Sequence, residues 1–512
     1  MPVQLGRAAT WGFTGRAVLL LANFGSSPFT IRLLGPSAYG LWALVQTVLV
    51  WAQPSEAGQW AATTKYGAER YAASDAPGES EVIWSGLCII AMTAGTVAVA
   101  LALSAHFLLQ LLHAQGNLLG AGTWALRVAC GTLVMSSLAG AVNTAQQVRL
   151  RWRQFTVVNV TSNLLVALGV PLALFAFSSG VVTAAVVGLL GSLVYLVGLW
   201  WDALRALPDL RRARVRASTL RRLASYGWPM ALAELASAAL ATGERFFLAA
   251  NVSTTAVAYY AVAMTVASAL EVLPQQVYAP LMPALARLHA EHRDDEHRAL
   301  YAKSLAGLFL VLAPAAIIVA FVAKPFLTLW AGPLYGAHGT GLLLIGVVGV
   351  SASALASVPN AYVLAAGKTK ALAVLRATEL PFYLGAAWVL TSRWGALGAA
   401  FVWSARLVVD SVAESVIARR SGGLPVLPLS AQRLRSALAP VSLAVACMAF
   451  AMVTRGLLLR SALAMALVAA YAAAVWRLVL TPRERHGIAG LLAEMLQHDR
   501  GVTLTNTAEA LR

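Results

Sequence analysis

The residues of this chain best placed to do chemistry are ionisable side chains set inside long apolar stretches: Arg16, Arg127, Glu234, Glu244, Arg245, Glu271, Glu379, Arg406, Asp410 and Glu414. A charge at mid-bilayer costs roughly 2.5–3.5 kcal/mol on insertion scales, so such groups turn toward a bundle interior or a water-filled cavity, where they mark substrate, ion or proton pathways. Helical spacing gathers them on faces. Arg16, Asn23 and Ser27 form one stripe, with Pro28 ready to bend the helix. Glu234, Ser237, Ala241 and Arg245 form a second, with Glu244 beside it. Ser268, Glu271 and Gln275 share a third face, near Pro274 and Pro280 as kink points, and Arg406, Asp410 and Glu414 follow one another a turn apart. Some have structural roles open to them. Arg406 and Asp410 are spaced for an intrahelical ion pair. Glu414 is near enough to a helix end to be solvated or paired with Arg419 or Arg420, and Glu234 to pair with a nearby basic loop. Arg127 is placed to snorkel to the interface. Arg16, Glu244, Arg245 and Glu271 are the hardest to explain by structure alone.

The elements that must position these groups are membrane helices. Crossing a hydrocarbon core of ~30 Å takes roughly 20 apolar residues. The spacing predicts spans at 9–33, 38–58, 82–108, 121–146, 154–177, 181–201, 225–250, 256–284, 304–328, 338–365, 371–391, 395–418, 436–454 and 461–479. Lys and Arg are concentrated in every second gap. With the N terminus inside, about 29 of the 38 basic residues fall in cytoplasmic segments, and external loops hold Arg32, Lys324, Arg393, Arg455 and Arg460. The expectation is a multi-pass protein of the bacterial inner membrane with both termini cytoplasmic, an all-α fold of about 14 transmembrane helices. The first span reads as a retained helix rather than a cleaved signal peptide.

Composition narrows the function classes. At 512 residues and 59% hydrophobic, with mean hydropathy +0.72, the chain has no room for a sizeable soluble domain. The net charge of +17 is accounted for by the sorting of basic loops, so no nucleic-acid partner is expected. Cys88, Cys130 and Cys447 lie singly in apolar spans and suggest neither disulfides nor a metal site. No P-loop, nucleophile elbow, His-Glu-x-x-His or paired-Cys motif occurs, so no enzymatic activity, cofactor or metal is expected.

The sequence repeats itself. Ala38-Tyr39-Gly40-Leu41-Trp42 opens the second span and Ala258-Tyr259-Tyr260-Ala261-Val262 the eighth. Gly180-Val181-Val182-Thr183-Ala184-Ala185 leads the sixth and Gly395-Ala396-Leu397-Gly398-Ala399-Ala400 the twelfth. Two six-helix sets in the same orientation imply a pseudo-twofold axis along the membrane normal, as in parallel-repeat transporters. The expected organisation is an N-lobe at 1–201, a basic cytoplasmic connector at 202–224, a C-lobe at 225–418, a cytoplasmic loop plus two further helices at 419–480, and a cytoplasmic amphipathic tail at 481–512. In the connector, Leu207, Leu210, Val215 and Leu220 alternate with arginines, which predicts an interfacial amphipathic helix.

Several motifs carry a resemblance. Ile31-Arg32-Leu33-Leu34-Gly35-Pro36-Ser37-Ala38-Tyr39-Gly40, Tyr226-Gly227-Trp228-Pro229, Thr242-Gly243-Glu244-Arg245-Phe246-Phe247-Leu248, Ala258-Tyr259-Tyr260-Ala261 and Ala365-Ala366-Gly367-Lys368 occur in this order. Together they resemble the polysaccharide and O-antigen flippases of the multidrug/oligosaccharidyl-lipid/polysaccharide exporter superfamily. Glu244 stands where that family often has Asp. The resemblance implies a flippase that moves a polyprenyl-diphosphate-linked oligosaccharide from the cytoplasmic to the periplasmic leaflet by alternating access, for O-antigen, exopolysaccharide or capsule synthesis. It implies a cationic cavity for the diphosphate built from Arg16, Arg245, Arg406, Arg127 and Asn23. Glu244, Glu271 and Asp410 are then the ion-coupling candidates. The implied partners are the glycan lipid, the bilayer, and the polymerase and chain-length machinery of the same pathway.

Two alternatives remain at this point. A cation-coupled multidrug exporter of the same superfamily needs an acidic rather than a basic cavity. A polysaccharide polymerase or ligase calls for a large external loop, and the expected external loops are short.

Overall fold

In the computed structural model of the chain, the described residues are 2–114, 116–177, 180–212, 214–422, 442–443, 446–447, 450, 456–479 and 485. Among them the secondary structure is helical throughout: α1 (Pro2–Ala52), α2 (Pro54–Ala72), α3 (Ala76–Leu111), α4 (Asn117–Val142), α5 (Thr144–Val148), α6 (Trp152–Phe177), α7 (Val181–Ala206), α8 (Ala217–Asn251), α9 (Thr254–Ser268), α10 (Val272–Ala290), α11 (Asp294–Trp330), α12 (Pro333–Ala365), α13 (Thr369–Gly422) and α14 (Leu457–Ala474). Ten of these helical stretches are long and apolar enough to cross a membrane. Two of the ten, α1 and α13, each contain a glycine with non-helical backbone angles, Gly35 and Gly395, at which two helices join. The chain is therefore an all-α, multi-pass membrane protein. The expected seventh span is α8, 35 residues long, whose charged side chains keep it off the apolar set. The expected thirteenth, 436–454, and the tail at 481–512 lie largely outside the described residues.

The internal repeat has a backbone counterpart. Gly180, before α7, has φ 69° and ψ −144°, and Gly395, inside α13, has φ 56° and ψ −132°. Both repeat positions need the same backbone turn at the start of a span, one that residues with a Cβ rarely adopt.

Two compact units emerge from the packing. One comprises residues 1–267, 327–349 and 369–410, and the other the described residues of 268–326, 350–368 and 411–512. This grouping does not follow the repeat-based lobe boundary, because α8 and α9 pack onto the N-terminal helices. A Cβ on Gly58 of α2 would lie 1.9 Å from the Gly227 carbonyl oxygen of α8. Tyr66 and Tyr226 meet edge to face at 5.9 Å, with the Arg222 guanidinium 4.1 Å above Tyr66. The repeat-related segments themselves touch. A Cβ on Gly40 would lie 1.8 Å from the Thr254 carbonyl oxygen, and the Ser37 and Thr255 hydroxyls are hydrogen-bonded at 2.9 Å. A fixed backbone cannot retreat as a flexible side chain can. Gly40→Val is therefore expected to destabilise the protein by about 1–3 kcal/mol, read as a lower thermal unfolding midpoint in detergent.

The connector departs from the expected amphipathic helix. Residues 208–211 form a single 3₁₀ turn, Arg212 is extended, and α8 begins only at Ala217. Leu207 and Leu210 are buried in the core shared by α3, α4 and α7 rather than lying along an interface. The arginines on this side of the unit answer acidic groups at the start of α3. Arg149 grips the buried Glu79 with both terminal nitrogens, at 2.5 and 2.9 Å. Glu81 receives Thr219 at 2.6 Å and Arg216 at 3.2 Å. Specific partners thus hold the connector in an irregular path. The non-apolar stretch 59–81 is likewise ordered, as most of α2 and the first turns of α3.

In the second unit, Phe321 of α11 packs against Leu443, Cys447 and the α14 residues Ala464 and Tyr471. The Tyr471 hydroxyl donates to the Leu310 carbonyl at 3.0 Å, which ties α14 to α11.

Candidate functional site

The polar centre of the first unit is built where α8, α9 and both halves of α13 meet. Glu244 of α8 is fully buried. A carboxylate taken out of water is tolerated only when its oxygens are hydrogen-bonded and its charge is answered. Both conditions are met here. Tyr260 of α9 donates its hydroxyl to Glu244 Oε1 at 2.9 Å, and Tyr383 of α13 donates to Oε2 in a short hydrogen bond. The Arg245 guanidinium lies 3.8 Å from Oε1, a charge contact rather than a hydrogen bond, for its Nε has no hydrogen-bond partner. Gly243 faces this packing closely: a Cβ there would lie 3.0 Å from the end of the Leu384 side chain. Trp403 locks the second half of α13 onto α8 by donating to the Ala241 carbonyl at 3.3 Å.

A second charged layer continues from Tyr383. The Arg406 guanidinium lies 5.6 Å from the centroid of the Tyr383 ring, a cation–π contact. Arg406 and Arg376 are within electrostatic reach of Glu379 and Asp410. The expected Arg406–Asp410 ion pair is not formed within 4 Å. Arg406 Nε, Asp410 Oδ1 and both carboxylate oxygens of Glu379 are buried without hydrogen-bond partners. Chemically this is a cation set among carboxylates that are not committed to fixed hydrogen bonds. Such a group can engage an anionic substrate through guanidinium and exchange a proton or cation at carboxylate.

The structure thus brings Glu244, Arg245, Arg406 and Asp410 into one neighbourhood, and places the other nominated residues elsewhere. Arg16 and Asn23 are exposed on the first half of α1, and the Asn23 amide donates to the Leu19 carbonyl of its own helix at 2.9 Å. Arg127 donates from Nε to the Ala102 carbonyl at 3.2 Å and lies over the Trp124 ring at 5.2 Å. Glu271 is half-buried at the 3₁₀ turn Ala269–Glu271, in the second unit. Glu414 is buried rather than solvated, and it accepts from the Asn360 amide at 2.7 Å. Among the described residues, no group of three or more His, Cys, Asp or Glu side chains is arranged to hold a metal ion.

The tyrosine clamp was not visible in sequence. Tyr260 and Tyr383 lie 16 and 139 residues from Glu244 and read as ordinary aromatic residues of apolar spans. Glu379 stands out in the sequence as an intramembrane charge. Its spacing four residues before Tyr383 on α13 was the available clue to a shared face.

Comparison with known proteins adds a separate line of observation. Residues 30–336 match the family model described as polysaccharide biosynthesis protein. A protein of Shigella flexneri named "Putative O-antigen transporter" is 27% identical over 264 residues, which is 51% of this chain and 62% of that protein. The chain thus spans less than two thirds of the length of that curated relative. Among solved structures, lipid II flippase MurJ in an inward closed conformation superposes with a TM-score of 0.70 at 10% identity, covering 92% of this chain and 98% of that one. An inward-facing multidrug-resistance MATE transporter of the MOP superfamily superposes with a TM-score of 0.66 at 16% identity, covering 79% of this chain and 94% of that one. At these identities the two structures establish a common fold.

Proposed function

This chain belongs to the polysaccharide biosynthesis protein family, and from that premise we propose that it is a flippase for polyprenyl-diphosphate-linked oligosaccharides in the bacterial inner membrane. The observation that carries the reading is the charged neighbourhood of Arg245, Arg406, Glu244, Glu379 and Asp410, brought together by α8 and α13 within the first unit. A diphosphate cannot cross hydrocarbon without compensating charge, and a planar guanidinium supplies both charge and paired donors. The apolar tail of the substrate needs no site in the protein, since it can remain in the bilayer while the head group crosses.

In this reading both termini are cytoplasmic and the repeat-related lobes 1–201 and 225–418 rock against each other in alternating access. Arg245 and Arg406 take the diphosphate. Glu244 and Asp410 are the coupling groups, with Glu271 as a further candidate. Arg16, Asn23 and Arg127 lie apart from this cluster and are candidates for substrate contact to be tested alongside it. The protein performs no bond chemistry and hands its cargo to the polymerase and chain-length machinery of the pathway. The shared fold with MATE transporters favours a second reading, a cation-coupled multidrug exporter. The basic residues of the cluster and the family match support the first.

The test is complementation in a strain lacking its own polysaccharide flippase. Expression is expected to restore surface polysaccharide and relieve the build-up of lipid-linked repeat units in the cytoplasmic leaflet. Resistance to cationic dyes with no restoration of polysaccharide would select the drug-exporter reading instead.

A further inference from the structure

A cavity of about 300 Å³ lies within the first unit, between the second half of α1 and helices α4, α6 and α7. No charged side chain lines it; Gln46, Thr132, Asn159, Asn163 and Tyr195 put neutral polar groups on a wall otherwise made mostly of Trp42 and aliphatic residues such as Leu49 and Val166. The helices that contribute these residues are otherwise apolar and long enough to span a membrane. A neutral amide facing hydrocarbon with no partner costs several kcal/mol, so a wall of this kind belongs against a polar guest or water.

The polar groups are only partly used by the protein. The Asn163 amide donates to the Asn159 carbonyl at 2.8 Å and to its side-chain oxygen at 2.9 Å, which fixes both side chains and leaves the Asn163 oxygen and the Asn159 amide nitrogen to be used. Gln46, Thr132 and Tyr195 make no hydrogen bond to the described protein atoms. Gln46 is exposed within its helix face, while Ser162 and Ser192, deeper in the wall, are already bonded to the Gly191 and Leu189 carbonyls at 2.8 Å. The outer wall is available and the inner wall is structural.

This donor and acceptor set defines its ligand class. A phosphate or diphosphate is excluded, because nothing on the wall offsets the desolvation of an anion. An organic cation would find no carboxylate to pair with here. What fits is a neutral group that both donates and accepts hydrogen bonds and carries an apolar face for an aromatic ring. A pyranose has that combination, and the volume is at the lower end for small-molecule sites. We propose that this cavity is a sugar subsite, separate from the charged cluster, that takes one neutral saccharide unit of the lipid-linked cargo. The inference rests on the flippase reading and divides recognition in two, with diphosphate at the arginines of α8 and α13 and sugar at the amides of α1 and α6.

The experiment measures binding of two probes to the full-length protein in nanodiscs: bare polyprenyl diphosphate, and the same lipid carrying one N-acetylhexosamine. The wild-type protein is expected to bind the glycosylated lipid about tenfold more tightly, as two additional hydrogen bonds would give. Gln46→Leu, at an exposed position, and Thr132→Val, close in shape, are each expected to reduce that preference several-fold while leaving affinity for the bare lipid unchanged. Unchanged affinity for the bare lipid also reports that each variant is folded. Equal binding of the two lipids by the wild type, or full preference retained in both variants, overturns the sugar subsite and leaves the flippase reading standing. Failure of the wild type to bind either lipid overturns both.

Discussion

Glu244→Ala is expected to lower the stability of the protein by about 2–6 kcal/mol, because it strands two buried phenols that each lose a charge-assisted acceptor worth about 1–3 kcal/mol. Glu244 is fully buried, and the hydroxyls of Tyr260 and Tyr383 converge on its two oxygens from different helices. The carboxylate therefore cross-links α8, α9 and α13. Thermal unfolding in detergent, followed by tryptophan fluorescence, reads the loss directly. Tyr260→Phe and Tyr383→Phe remove one donor each and are expected to have smaller effects. A double-mutant cycle with Glu244→Gln should show coupling well above experimental error, since the three groups share one network. Glu244→Gln also separates structure from transport. The glutamine oxygen can accept from one phenol while its amide donates to the other, so the fold survives but the ionisable group is gone. If Glu244 is a coupling residue, Glu244→Gln in proteoliposomes is expected to lose the response of transport to an imposed proton or sodium gradient. A Glu244→Gln protein that couples like wild type would remove Glu244 from the mechanism and leave it as a structural cross-link.

What the sequence made legible follows the range of the forces involved. Membrane crossings are written in twenty-residue averages of hydropathy, so α1, α3, α4, α6 and α7 fall where the apolar runs place them. The repeat was legible because a turn that demands glycine leaves a glycine in each copy, at Gly180 and Gly395. The charged stripe on α8 was legible because a charge is conspicuous in an apolar helix. Partners brought together by tertiary packing were not. Tyr383 lies 139 residues from Glu244, and Asn360 lies 54 residues from Glu414. The connector's alternation of leucine and arginine has helical period, yet Glu79 and Glu81 of α3 compete for nearby arginines and the core of α3, α4 and α7 takes Leu207 and Leu210. The neutral wall formed by Gln46, Thr132, Asn159 and Asn163 left no trace in the sequence. Single amides and hydroxyls hardly move a hydropathy average, and only packing shows that they face one another.

The second large effect is expected at the guanidinium groups. A hydrogen bond to a charged partner contributes about 1.5–3 kcal/mol, so Arg245→Ala or Arg406→Ala is expected to weaken binding of polyprenyl diphosphate by about ten- to a hundredfold, and the double variant by about 10²–10⁴-fold. Arg406→Ala has a structural consequence as well. Glu379 and Asp410 lie within electrostatic reach of each other, with Arg406 and Arg376 as the nearby cations. Removing Arg406 weakens that compensation, so a loss of stability accompanies the loss of binding and a single variant cannot tell the two apart. Combining Arg406→Ala with Glu379→Gln and Asp410→Asn does. Neutralising both carboxylates removes the repulsion, so the triple variant is expected to recover much of the thermal stability lost in Arg406→Ala. It supplies no new cation, so binding of the diphosphate lipid is expected to stay weak. Recovery of binding together with stability would mean that Arg406 serves only to neutralise its neighbours, and the diphosphate site would then contract to Arg245. Stability restored with binding still lost would place the guanidinium of Arg406 on the substrate.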